Sequence, residues 1–286
     1  MQTKKIAVVV PVYNRESTIL KSLKSLENQT FKDWFCIIVN DGSTDNTKEV
    51  ISTLDVNKYL VVNFSKNMGR GSARQAAIDM VRSLKIPYMC MLDADDFYFP
   101  DKLEFQFNYM EQHPDVTLLS SAMALSDKNN NLYSVIRPFE NETAFYFNSF
   151  INFIQLPHAS SIIRIQDIEG VNYDKTFRFS EDLDFLRRIL IKKKYAFTPR
   201  IHYGYKRDNS FSFYKYFKSI SFNIKSFNRL EVSILQKIKY ATTSVLKTSV
   251  VFILSIFGVE KLYLSKVGQK PSLQDCKKYE NFEGKF

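Results

Sequence analysis

Cysteine is scarce in this chain: there are three in 286 residues, with no paired spacing. Cys36 and Cys90 fall inside apolar runs and Cys276 stands alone near the end. A disulfide framework is thereby excluded, and reduced, packed thiols in a cytosolic setting are expected. Long apolar runs are missing as well. Ile6 to Val10 follows Lys4-Lys5 and stops at Pro11, too short for the apolar region of a signal peptide; it reads as a first strand. Residues 244–259 are apolar apart from Lys247 and small polar residues, short of the ~20 residues that span a bilayer. There is no internal repeat and no low-complexity tract. Acidic residues are absent between Asp208 and Glu231.

The remaining composition is that of a folded globular protein, 45% hydrophobic and 24% charged. The length suits one large α/β domain with an appendage, or two small domains. The net charge of +10 is uneven, with 19 Lys/Arg against 24 Asp/Glu up to residue 186 and 21 against 6 beyond it. A basic C-terminal third, rich in Phe and Tyr, points to an anionic partner: nucleic acid, acidic lipid or a phosphate-bearing substrate.

The first half alternates strand and helix patterns. Strands are expected at residues 6–10, 35–39, 59–64 and 88–92, and helices at 17–26, 46–54 and from the turn at 67–71 through Leu84. This alternation implies a parallel sheet covered on both faces, whose ligands bind beyond the carboxyl ends of the strands. Those ends read Pro11-Val-Tyr13-Asn14, Asn40-Asp41, Ser65-Lys66-Asn67 and Asp93-Ala-Asp95-Asp96. Later, residues 116–121, 132–135 and 161–165 read as strands and 182–191 as an amphipathic helix. Lys237 and Lys239 precede the apolar stretch 244–259, and Lys261 and Lys266 follow it. It is expected to lie in a membrane interface without crossing, or else to pack on the main domain.

Three carboxylates delivered at one strand end repel each other and raise at least one pKa unless a cation sits among them. A hard divalent ion, liganded by one or two carboxylates and completed by phosphate oxygens, is the usual reason to tolerate them. The alternative is a polar loop before the helix that starts near Pro100. Glu181 and Asp182 read, by themselves, as an ordinary acidic pair at a helix start, favoured by the helix dipole.

Taken in order, Pro11-Val-Tyr-Asn14, Asn40-Asp-Gly-Ser-Thr-Asp45, Asn67-x-Gly69-x-Gly71-x-x-Arg74, Asp93-x-Asp95-Asp96 and Glu181-Asp182 form a set. This set resembles the family 2 glycosyltransferases over roughly residues 4–212. The resemblance implies an α/β GT-A fold: a Rossmann-like mixed sheet flanked by helices, here on residues 1–232, with a basic helical membrane-associating extension on 233–286. It implies a UDP-sugar donor and a divalent cofactor, Mn2+ or Mg2+. Donor-binding positions carried over are Pro11, Tyr13, Asp41 (at the base), Arg74, Asp93 and Arg207. Arg207 belongs to a segment similar to the family's Tyr-x-Arg…Ser-x-Ser. Asp95 becomes the principal metal ligand and His202, one of three histidines, a second. Asp182 becomes the base, supported by Glu181, while Asp96 becomes a residue behind the ligands or a helix cap. His158 has no assigned role beyond the acceptor side.

The reaction implied is hexose transfer with inversion to a lipid-diphosphate-linked saccharide in bacterial O-antigen or capsule assembly, peripheral to the cytoplasmic face of the inner membrane. Teichoic-acid or protein acceptors are alternatives within the class. A basic nucleic-acid-binding protein is the alternative outside it, opposed by the absence of any stacking-sheet motif or zinc site. No nucleic-acid partner is therefore expected. A nucleotidyltransferase is opposed by the lack of a Gly-rich basic signature after the first strand, and a dinucleotide module by a Gly-x-Gly that follows the third strand.

Overall fold

Ile6 to Val12 are β-branched or small residues, all buried, and they form β1 (Ile6–Val12) at the centre of the sheet. Alternate side chains of β1 enter opposite cores: Ala7 and Val9 on one face, Ile6, Val8 and Val10 on the other. A strand buried on both faces shows a continuous apolar run, which is why the pattern was readable. The computed structural model describes residues 4–127, 129–146, 156–206, 213–257 and 268–283.

The first half runs β1, α1 (Ile19–Glu27), β2 (Trp34–Asn40), α2 (Thr47–Ser52), β3 (Tyr59–Asn63), α3 (Arg70–Ser83) and β4 (Tyr88–Met91). Helix α1 covers one face through Ile19, Leu23 and Leu26, and α3 covers the other through Ala73, Ala77, Ile78 and Val81. There follow β5 (Phe97–Tyr98), α4 (Lys102–Gln112), β6 (Val116–Ser126), β7 (Leu132–Ile136), β8 (Thr143–Tyr146) and β9 (Ile162–Arg164). After a 3-10 turn come α5 (Glu181–Leu190), β10 (Lys194–Lys206), α6 (Phe213–Asn228) and α7 (Ile234–Ile256). The last described helix, α8, is Leu273–Glu283.

The strand order is β3-β2-β1-β4-β9-β6-β10-β5, with β7 added to β6 and β8 to β10. β1, β2, β3 and β4 pair in parallel, so their carboxyl ends share one edge as expected. β9 is antiparallel to both β4 and β6, which makes the sheet mixed. Short β5 pairs antiparallel with β10, and Phe97 lies opposite Gly204. A Cβ at Gly204 would come within 2.0 Å of the Phe97 ring, so only glycine admits that ring.

Residues beyond 232 follow two courses. In α8, Tyr279 and Phe282 are buried against Phe97 and Phe99, and Asp275 pairs with Arg137 at 2.7 Å. Helix α7 opens on a capping box, Ser233 with Gln236, and packs on α6. Its apolar residues Leu235 and Leu246 face outward. No helix among the described residues is long and apolar enough to cross a membrane.

Candidate active site

The carboxyl edge of β1, β2 and β4 is tied together by side chains from the turns. Just past β1, Tyr13 is exposed and Asn14 adopts a left-handed conformation (φ 52°), one that Asn tolerates well. The Asn14 carboxamide oxygen accepts the Thr44 amide at 2.8 Å, and the Asn14 amide donates to Ser43 Oγ at 3.0 Å. Pro11 is buried within β1 opposite Val39.

Asp41 is buried, and its two oxygens accept the backbone amides of Met68 and Gly69 at 2.6 and 2.9 Å. It therefore braces the turn into α3, a structural duty the sequence did not reveal. An added base contact would fall on oxygens already engaged. Gly69 sits at φ 90°, where a side chain would be strained and its Cβ would meet Arg178 Nη1 at 2.6 Å.

Asp93, Asp95 and Asp96 follow β4, and each has a different surrounding. Arg15 Nε lies 3.0 Å from Asp95 Oδ2, and that carboxylate keeps a partly open face. Burial pushes the Asp95 pKa up, Arg15 pulls it down and Asp93 adds to the rise; upward wins. Asp96 is buried behind them. It accepts the Tyr203 hydroxyl at 2.8 Å and the Lys206 amide at 2.9 Å. Burial, then Asp93 and Asp95, hold its pKa well above the usual carboxylate range. Asp101, not Asp96, occupies the N-cap position of α4.

Arg74 projects from α3 into the same region and is buried. Its Nη1 donates to Glu181 Oε1 at 2.9 Å, and its Nη2 stands 3.6 Å from Asp93 Oδ1. Burial opposes the charge, but Glu181, Asp93, Tyr173 and Asp182 outweigh it and raise the pKa. Arg74, carried over above as a donor-binding position, ties the β4 tip to the start of α5, with Arg70 joining Glu181 at 3.4 Å. Glu181 is the carboxylate on which both arginines converge.

Asp182 opens α5 beside Glu181. Burial alone would raise its pKa, yet Arg74, His158, the Leu183 amide and Arg70 together hold it below the ordinary aspartate value. Ser180, before it, is left-handed (φ 55°), a strained state for a serine, and its hydroxyl meets that of Ser219 on α6 at 2.8 Å. His158 is buried, with Nε2 on the Tyr173 hydroxyl at 2.9 Å and Nδ1 without a partner among the described residues. Burial and then Arg74 push its pKa down to about 4, so it stays neutral between Asp182 and Asp93.

His202 does not join the carboxylates. It is buried against Phe105, with Nε2 3.7 Å from Asp101, and Lys278 shares that aspartate at 3.4 Å. A register shift between Ile201 and Tyr203 interrupts the regular alternation of β10 here. Tyr203 takes the carboxylate side, donating to Asp96 and accepting the Asp93 amide at 3.1 Å. The expected second metal ligand is thus withdrawn, and Tyr203 is the residue the sequence reading missed. Arg207 lies outside the described residues.

Among the described residues, no group of three His, Cys, Asp or Glu side chains could hold a metal unaided. Asp93 and Asp95 keep partly open side chains at the strand edge while Asp96 does not, so they are the two that could reach a divalent ion, which would compete with Arg15 for Asp95. Such a pair suits an ion whose remaining oxygens come from a substrate.

The family model described as glycosyl transferase family 2 matches residues 7–171. The chain belongs to glycosyl transferase family 2. The matched part of the chain includes every motif up to Asp96, while Asp182 lies beyond it. The uncharacterized glycosyltransferase MJ1057 of Methanocaldococcus jannaschii is 30% identical over 193 residues, covering 65% of this chain and 64% of that protein. The putative glycosyltransferase EpsH of Bacillus subtilis is 30% identical over 139 residues, 48% of this chain and 39% of that one. The chain thus spans less than two-thirds of these relatives.

Solved structures of S. aureus TarS share its fold. The complex with UDP-GlcNAc has a TM-score of 0.65 at 17% identity, covering 84% of this chain and 71% of TarS 1-349. The complex with UDP has a TM-score of 0.63 at 16% identity, covering 84% and 70%. The architecture is accordingly the GT-A glycosyltransferase fold.

Proposed function

We propose that this transferase moves a hexose from a UDP-sugar to a hydroxyl of a lipid-diphosphate-linked saccharide, with inversion, in assembly of a bacterial O-antigen or capsular polysaccharide. The observation that carries the reading is the sharing of one buried guanidinium. Arg74 joins Asp93, on the donor side, to Glu181, the neighbour of Asp182. Two carboxylates of opposite duty are held on one rigid frame, and Asp182 is kept ionised as a base must be.

In the reaction, the acceptor hydroxyl gives its proton to Asp182 as its oxygen bonds to the anomeric carbon. The bond from that carbon to the diphosphate oxygen breaks on the opposite face, and UDP departs with the electron pair. Asp95 and Asp93 would hold Mn2+ or Mg2+, which when bound supplies Lewis-acid stabilisation of the charge growing on the leaving diphosphate. Asp96 and Tyr203 hold the Asp93–Asp95 loop in place from behind. Tyr13, at the open end of β1, and Pro11 below it line the nucleotide side. The UDP and UDP-GlcNAc bound by TarS support a uridine diphosphate sugar as donor.

Peripheral attachment at the cytoplasmic face of the inner membrane is supported by α7. Leu235 and Leu246 are both more than half exposed, and Lys237, Lys239 and Lys247 lie on the same helix. An apolar face flanked by lysines suits an anionic interface, where each cation contributes about 1 kcal/mol. The test is a screen of labelled nucleotide sugars against synthetic saccharide diphospho-lipids, with and without manganese. Transfer from a UDP-sugar to such an acceptor supports the reading, and its absence with every lipid-linked acceptor contradicts it.

A further inference from the structure

We propose that the groove between α6 and α7 holds the hydrocarbon chain of the acceptor lipid, an assignment that rests on the lipid-linked acceptor proposed above. The groove encloses about 560 Å3, within the range of small-molecule sites. Its walls are Phe213, Phe217 and Ile220 from α6 and Val245, Phe252 and Ile253 from α7. Such a lining offers a sugar or nucleotide almost no hydrogen-bonding partner and suits a hydrocarbon.

Position ties the groove to the chemistry. Phe217 and Ile220 flank Ser219, whose hydroxyl meets that of Ser180 at 2.8 Å, immediately before Glu181 and Asp182. The α6 wall of the slot therefore lies within about one helical turn of the contact that precedes Glu181 and Asp182. The hairpin is also anchored to the catalytic helix. Arg187 of α5 donates to the Asn223 carbonyl on α6 at 2.7 Å and to the Tyr240 hydroxyl on α7 at 2.8 Å.

Charge identifies the occupant. Residues 213–257 carry seven Lys or Arg and one acidic residue, Glu231. Lys215 and Lys218 are in the first two turns of α6, the end that approaches Ser180. An apolar slot beside cations complements a molecule with a hydrocarbon tail and an anionic diphosphate head.

The test uses the full chain, without vesicles, and saccharide diphosphates carrying alkyl chains of about four or about twelve carbons, below their micelle concentrations. Extra methylenes buried in the slot should lower KM for the long-chain acceptor at least ~10-fold. Ser249→Trp or Ser221→Trp, each placing an indole in the groove from an exposed serine, should abolish that preference. KM for the short-chain acceptor and the melting temperature should be unchanged. Equal KM values for the two acceptors in the wild type, or a preference that survives both variants, would overturn the groove assignment alone. Variants that keep the preference but lose vesicle binding would assign the groove to bulk lipid and also overturn it. Failure to glycosylate either acceptor would instead refute the lipid-linked reading of the reaction.

Discussion

Arg74 and Glu181 meet at 2.9 Å with each side chain only 3% exposed, across 107 residues of sequence. The same guanidinium approaches Asp93 at 3.6 Å. The β4 tip and the start of α5 are therefore positioned relative to each other by a single buried cation. A buried pair is not by itself a large source of stability, but breaking one leaves a desolvated charge uncompensated.

Arg74→Met should thus be destabilising by about 3–5 kcal/mol, because Glu181 and Asp93 lose their shared cation. Urea unfolding checks this. Arg74→Met with Glu181→Gln should recover part of the loss, since the double change removes the stranded carboxylate. An unchanged midpoint in the single variant would contradict the bridge.

His158 gives stability a specific pH dependence. Its pKa falls from 6.5 to about 4 on burial, so the folded protein keeps it neutral while the unfolded chain protonates it. The unfolded state binds more protons between those values, so the contribution is full above 6.5 and is lost as pH falls towards 4, by roughly 3 kcal/mol. Unfolding curves at pH 7 and pH 5 for the wild type and His158→Gln should show a smaller pH effect in the variant. Equal effects would refute the assignment.

Asp95→Asn should weaken manganese-dependent UDP binding at least ~10-fold while leaving the metal-free affinity in place, because one charged oxygen donor to a hard ion is lost. Calorimetric titration with UDP, in manganese and in chelator, separates the two. Undiminished binding in manganese would remove Asp95 as a ligand.

The outward face of α7 predicts vesicle binding. Leu235→Gln with Leu246→Gln should shift the protein from the pellet to the supernatant in sedimentation with anionic vesicles, as two exposed apolar anchors are lost. Truncation is the wrong test, because removing the C-terminus also takes Tyr279 and Phe282 out of the core. Unchanged sedimentation would contradict the interfacial role.

The four parallel strands were legible because burial on both faces leaves uninterrupted apolar runs, and their shared edge followed from the βα alternation. Strands β5 and β8 were not, since two to four residues carry too little pattern. The choice between His202 and Tyr203 turned on the face each takes in β10. That strand carries register shifts near Ile201, so sequence alternation alone did not set it. Arg74 was placed correctly on α3, but its partners are distant in sequence and only the fold brings them to it. For the same reason the packing of α8 against Phe97 and Phe99 was invisible in a segment dominated by charged and polar residues.

The most direct test of the whole account is Asp182→Asn, assayed for UDP-sugar affinity and for transfer. The donor Kd should stay within about threefold of wild type while kcat falls by roughly 10²–10⁴, the usual contribution of a positioned base. A variant that transfers sugar at the wild-type rate would contradict it.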